Sequence, residues 1–120
     1  MEDTRIILAG LWIALMLTYL LGDVLRIFAG DFTAGEIQGR QASQWMWVLA
    51  AVVMLIPIAM LVLSLTVAYP AIRWVSLVAS VFLVIFNLVG LPYPGVYDNF
   101  LIAVGFVFNG LIVWYAWTWT

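Results

Sequence analysis

The sequence predicts an all-α membrane protein: an antiparallel bundle of four transmembrane helices, at about residues 6–28, 45–67, 74–90 and 99–119. Three observations predict it. Of the 120 residues, 68% are hydrophobic and only 8% charged, and the mean hydropathy is +1.19. A soluble domain of this size has too little interior to hide that much apolar surface, so lipid must be the solvent. The apolar residues fall into runs long enough, at about 1.5 Å per residue, to cross a hydrocarbon layer of roughly 30 Å. Aromatic clusters and polar turns punctuate those runs, as the headgroup level requires.

Helix 1 ends at Ala29-Gly30-Asp31, where a glycine and a turn-forming aspartate break the pattern. Its apolar run exceeds the roughly 7–15 residues of a signal-peptide core and follows an acidic start, Met1-Glu2-Asp3-Thr4-Arg5, so we expect it to be retained. The next segment, to Gln44, is the longest polar stretch, with Asp31, Glu36, Gln38, Arg40, Gln41 and Ser43 and the glycines Gly35 and Gly39. Its composition allows either a solvent-exposed loop or a short interfacial helix. Helix 2 opens on Trp45-Met46-Trp47 and carries Pro57 at its centre. A proline there cannot donate to the carbonyl of Val53, which makes Pro57 a candidate kink, with Ser64 or a neighbouring helix to serve freed polar groups.

The turn Ala68-Tyr69-Pro70-Ala71-Ile72-Arg73 is short, so helices 2 and 3 should form an antiparallel hairpin and pack together. Helix 3 presents Ser76 and Ser80 four residues apart, and helix 1 has Gly10 and Ala14 at the same spacing; both are candidate small-residue packing faces, within the chain or between chains. A turn over Leu91-Pro92-Tyr93-Pro94-Gly95-Val96-Tyr97-Asp98 leads into helix 4, which holds Asn109 and Gly110 near its middle and ends in Trp114-Tyr115-Ala116-Trp117-Thr118-Trp119. Four spans return the C-terminus to the side of the N-terminus.

Composition narrows the function classes. With four basic residues, all Arg, against six acidic ones, the formal charge of −2 offers no field for nucleic acid. Cysteine and histidine are both absent, which removes thiol and imidazole catalysis, the usual zinc sites and histidine-ligated haem. No phosphate loop, nucleophile elbow or cofactor motif is present. The partners this leaves are the lipid bilayer and other membrane proteins, either further copies of the chain or a larger complex.

What polarity there is gathers at one membrane face. Alternation of the spans places Asp23, Arg26, Gln44, Asn87, Tyr93, Tyr97 and Asp98 in one layer. Asp23 lies within an apolar run, where an ionised carboxylate costs up to about 3 kcal/mol, so it needs a partner. Arg26, three residues on, and Tyr19, four back, share its helical face. Two readings follow. In one, Tyr19, Asp23, Arg26, Asn87 and Asp98 form a water-accessible polar site for a cation or small solute. In the other, Asp23 and Arg26 satisfy each other, Asn87 bonds across to a neighbouring helix and Asp98 is the N-cap of helix 4. Asn109, deep in helix 4, is interhelical glue or part of an ion path.

The combination of Leu11-Trp12, Tyr19, Asp23, the run Met54-Leu55-Ile56-Pro57-Ile58-Ala59-Met60 with Leu63-Ser64, Tyr69, Arg73-Trp74, Tyr97 and the aromatic ending resembles an uncharacterised family of small four-helix prokaryotic membrane proteins. The resemblance covers almost the whole chain and implies a fold without an activity. It singles out Tyr19, Asp23 and Arg73 among the polar residues. Such relatives carry a glutamate where this chain has Gly105 and an aromatic where it has Asp98. Small multidrug-resistance transporters, which keep a glutamate within helix 1, are a poorer match.

Three functional expectations result. The first is a non-enzymatic structural or accessory protein assembling in a prokaryotic inner membrane; the second is an oligomeric transporter or channel with Asp23 or Asn109 on its path. A lipid or quinone enzyme, resting on Asp23, Tyr19 and Tyr97, has least support. Orientation is tied by charge, Arg5 and Arg73 on the terminal side against Arg26 and Arg40 opposite; we place both termini in the cytoplasm.

Overall fold

The computed structural model describes residues 3–31, 34–37, 40–90 and 95–119. Four helices account for most of them: α1 (Asp3–Phe28), α2 (Gln44–Thr66), α3 (Ala71–Gly90) and α4 (Val96–Trp117). Each is long and apolar enough to cross a membrane. The molecule measures 45 × 29 × 21 Å, its long axis matching the roughly 40–45 Å of a bilayer with its headgroups. We read the chain as an integral membrane protein.

Helix ends follow local chemistry. At the end of α1, Gly30 takes φ +80°, and two backbone bonds close the terminus, Gly30 N to Ile27 O at 3.2 Å and Asp31 N to Arg26 O at 3.1 Å. This is the glycine-terminated cap in which the left-handed residue turns the chain back over its last carbonyls. The polar connection resolves into neither a plain loop nor a helix: β1 (Glu36–Ile37) pairs antiparallel with β2 (Arg40–Gln41). Ser43 then caps α2, its hydroxyl accepting from Met46 N at 3.4 Å. Helices α3 and α4 begin three residues earlier than their composition suggests. Pro70 and Gly95 mark the starts, Gly95 being the N-cap of α4 without a side-chain bond, so the polar residues just after them are already helical.

Each helix turns one stripe inward, its buried residues three, four or seven apart, as one face of a helix requires. On α1 the buried stripe runs through Leu8, Trp12, Leu15 and Gly22, on α2 through Val53, Pro57, Met60 and Ser64, and on α4 through Asp98, Ile102, Gly105, Asn109, Ile112 and Ala116. Ile72, Ser76, Ser80 and Leu83 are the buried residues of α3. Large apolar side chains such as Ile27, Leu49, Val78 and Phe100 point outward, as expected where lipid is as apolar as the core. The helix runs on through Pro57, whose ring is fully buried.

The helix pairs differ in how closely they pack. Helices α2 and α3 are consecutive and meet as a hairpin, but more sparsely than α1 meets α2 and α4 or α3 meets α4. Ser80, one of the small inward residues of α3, bonds to Asn109 on α4, and bulky Ile56, Trp74 and Phe82 stand on either side of the α2–α3 seam. Gly10 is exposed with open space where a Cβ would be, so it packs against nothing within the chain. The close approach between α1 and α4 is made by Gly22 and Gly105 instead: a Cβ on Gly22 would lie 3.7 Å from Leu101 and one on Gly105 3.4 Å from the Tyr19 ring.

Candidate functional site

At the end of the bundle away from the chain termini, Arg26 is held between two carboxylates. Its Nε donates to Asp98 Oδ2 at 2.8 Å and its Nη2 to Asp98 Oδ1 at 2.9 Å. A third donor, Nη1, reaches Asp23 Oδ1 at 3.1 Å. The fork-to-fork pair with Asp98 is the stronger one, since two parallel charge-assisted bonds fix geometry as well as charge. Burial differs sharply: the Asp98 side chain is 4% exposed and that of Asp23 is 49% exposed.

Asp98 is therefore not the N-cap of α4. It lies in the first turn, past the Gly95 cap, and its carboxylate turns across the bundle to α1. The position still benefits from the positive end of the helix dipole. Of the pairings expected within the chain, the bond between Asp23 and Arg26 is present, but sequence spacing alone did not reveal the buried acid on the opposite helix. Arg26 three residues from one aspartate reads as a local pair; its longer-range partner is visible only once α1 and α4 are neighbours.

One layer deeper, Asn87 on α3 donates to the Tyr19 hydroxyl at 2.9 Å and to its own helix at Leu83 O, also 2.9 Å. Asn109 Nδ2 reaches the same hydroxyl at 3.5 Å and the carbonyl of Gly105 at 3.1 Å. Ser80 completes the layer, donating to Asn109 Oδ1 at 2.8 Å. The Tyr19 ring lies over Gly105, where an added Cβ would meet it at 3.4 Å. Three helices thus share one hydrogen-bonded set, and Asn87 and Asn109, expected separately, belong to it together. Ser80 was legible only as a small residue; its spacing from Ser76 gave no sign that it would serve an asparagine.

The remaining polar residues of this face are placed apart. Tyr97 donates to the Asp31 carboxylate at the rim. Gln44 is exposed at the first position of α2, and Tyr93 falls outside the described residues. Deeper still, the Trp12 indole nitrogen and the hydroxyls of Ser64 and Ser76 are buried and without a protein hydrogen-bond partner. The expected service of Ser64 to the polar groups of α2 is thus not made through its hydroxyl.

The terminal face is organised by arginine and tryptophan. Arg5 donates to the carbonyls of Ser64, at 3.1 Å, and Val67, closing the end of α2, and lies 5.3 Å from the Trp119 ring centroid. Arg73 donates to Trp117 O at 2.8 Å and sits between the rings of Trp74 and Trp117, at 5.2 and 5.1 Å. Both cations take up carbonyls that a helix end leaves unsatisfied, where the dipole favours positive charge. Among the described residues neither pairs with a carboxylate.

Chemically, the inner set offers donors and acceptors already matched to one another. Among the described residues no group of three or more acidic side chains is placed to hold a metal ion.

Neither a curated protein nor a solved structure matches the chain. The sequence profile described as a family of unknown function, DUF6326, matches residues 1–120. This agrees with the resemblance carried by the tryptophan, proline and tyrosine motifs, and the chain belongs to that family of unknown function.

Proposed function

We propose that this is a non-enzymatic structural or accessory protein of a prokaryotic inner membrane, working as a homo-oligomer or as a subunit of a larger membrane complex. The observation that carries this reading is the closure of the polar groups on one another. Arg26 is neutralised by Asp98 and Asp23, and the polar heads of Asn87, Asn109, Ser80 and Tyr19 are engaged in mutual bonds. A site for a transported solute needs groups that can exchange partners; these are committed to holding three helices together. The outward surface of the spans is largely apolar, which suits burial in lipid or against another membrane helix. We place both termini in the cytoplasm, on the side of Arg5 and Arg73, with the arginines balanced two against two across the membrane.

Native mass spectrometry of the protein extracted from its own membrane in mild detergent tests this. A stable self-assembly or a partner at fixed stoichiometry is the expected result. An isolated monomer under several gentle conditions would overturn it.

A second reading, a small transporter or channel, draws on the unpartnered Trp12, Ser64 and Ser76 atoms, which carry polarity from the Asn109 layer toward the terminal face. It requires that Asp23→Asn abolish flux in proteoliposomes while the fold is kept, and wild-type flux in that variant would remove Asp23 from the path.

A further inference from the structure

Between the Asn109 layer and the terminal face, three helices each bury a polar atom that the protein does not serve. The Trp12 indole nitrogen on α1, the Ser64 hydroxyl on α2 and the Ser76 hydroxyl on α3 have no hydrogen-bond partner among the described residues. All three side chains are fully buried. Hydrocarbon around the bundle offers them nothing in exchange, so each needs a partner inside.

Contacts elsewhere in the bundle fix their depth. Tyr19 on α1 meets Asn87 on α3 at 2.9 Å, and both helices run outward from the terminal face. Trp12 stands seven residues before Tyr19, which puts its Cα level with Ser80, and Ser76 is one turn nearer the terminal face. A long helical side chain leans toward its own N-terminus, which carries the indole toward the level of Ser76. Ser64 reaches the same depth from α2: it lies two residues before Thr66, the end of that helix, and Ser76 lies five after Ala71, the start of the next. In an antiparallel hairpin the two serines are therefore within about one turn of each other. Space between them is not closed by the helices, since α2 and α3 are the neighbouring pair that meets most sparsely.

The chemistry of the three groups selects the ligand. An indole N–H only donates, whereas a hydroxyl donates and accepts. Their common partner must accept from the indole, exchange bonds with two hydroxyls, and be small. It must also be neutral, because these uncharged groups cannot offset an ion in hydrocarbon. We propose that this level of the bundle holds an internal water, which accepts from Trp12 Nε1 and is bonded to the hydroxyls of Ser64 and Ser76. Buried waters typically make about three hydrogen bonds to groups the protein leaves unserved. This one ties α2 to α3 across their sparse seam, whether the protein assembles with itself or with a partner.

Radiolytic footprinting of the full-length protein in mild detergent, read by mass spectrometry, tests the proposal, because hydroxyl radicals formed from an ordered water oxidise the side chain beside it. In wild type, Trp12 should be oxidised despite its burial, as the exposed Trp45 is, while Leu15, equally buried on α1, stays unmodified. Ser76→Val, which removes one hydroxyl and fills its space, should abolish labelling of Trp12 and leave that of Trp45 unchanged. Ser64→Val should do the same. An unlabelled Trp12 in wild type, oxidation of Leu15 alongside it, or undiminished labelling of Trp12 in either variant would each overturn the proposal. If one variant does not fold, wild type and the other still decide it.

Discussion

Gly105 and Tyr19 illustrate how a single missing side chain sets the interior. The ring of Tyr19 lies over residue 105, with an added Cβ meeting it at 3.4 Å. Alanine can be accommodated at that distance, whereas a leucine must displace the ring and break its bonds to Asn87 and Asn109. We expect Gly105→Leu to destabilise the bundle by about 2 kcal/mol, the usual cost of overpacking a filled core, and Gly105→Ala to be close to neutral, as measured by unfolding in mixed micelles. At Asn109 the argument concerns polarity. Asn109→Leu leaves Ser80 with only the backbone carbonyl of residue 109, now at 3.1 Å, and should cost about 1 kcal/mol, since hydrogen bonds between membrane helices are worth modest amounts. A loss several times larger would mean that the whole layer acts as one cooperative unit.

For the helices, legibility in the sequence tracked how local the cause was. The end of α1 was readable because Gly30 alone determines it: a left-handed residue terminates a helix whatever surrounds it. All four spans were readable for the same reason, since length and hydropathy are properties of each segment. Starts of α3 and α4 were placed late, because polar residues after Pro70 and Gly95 look like turn until their long-range partners are known. Arg73 and Asp98 are helical and spend their charge on other helices. Packing order was less legible still. Proximity in sequence favours α2 against α3, but the small positions that let backbones approach, Gly22 and Gly105, sit on α1 and α4. The arginines at the terminal face bear on the same scale. Arg5→Gln removes the donor that closes α2 at Ser64 and Val67, and should fray that end; faster amide hydrogen exchange confined to residues 63–67 would report it. Exchange that rises equally in α4 would show that Arg5 supports the bundle as a whole rather than one helix end.

Over the whole molecule, Arg26, Asp98, Tyr19, Asn87 and Asn109 are used to join helices inside the bundle. Charge inside lipid is expensive, and a buried pair is a costly way to gain stability compared with apolar packing. What the pairing provides is register: Arg26 and Asp98 can meet in only one alignment of α1 against α4, and Tyr19 and Asn109 repeat that alignment a layer below. Removing one partner strands the other in a poor solvent, while removing both leaves only the half-exposed Asp23 without its arginine. The site residues Asp23, Arg26, Asn87 and Asp98 were identifiable as a group from their common membrane depth. Which of them touch was not, because that depends on the rotation of each helix about its own axis. The most direct test is a double-mutant cycle on Arg26→Met and Asp98→Leu, with unfolding free energies measured in the same micelles. Each single change should cost about 3 kcal/mol and the double variant should recover most of that loss, giving a large coupling energy. Losses that simply add, within about 0.5 kcal/mol, would mean the two residues do not act as a pair and would contradict the account.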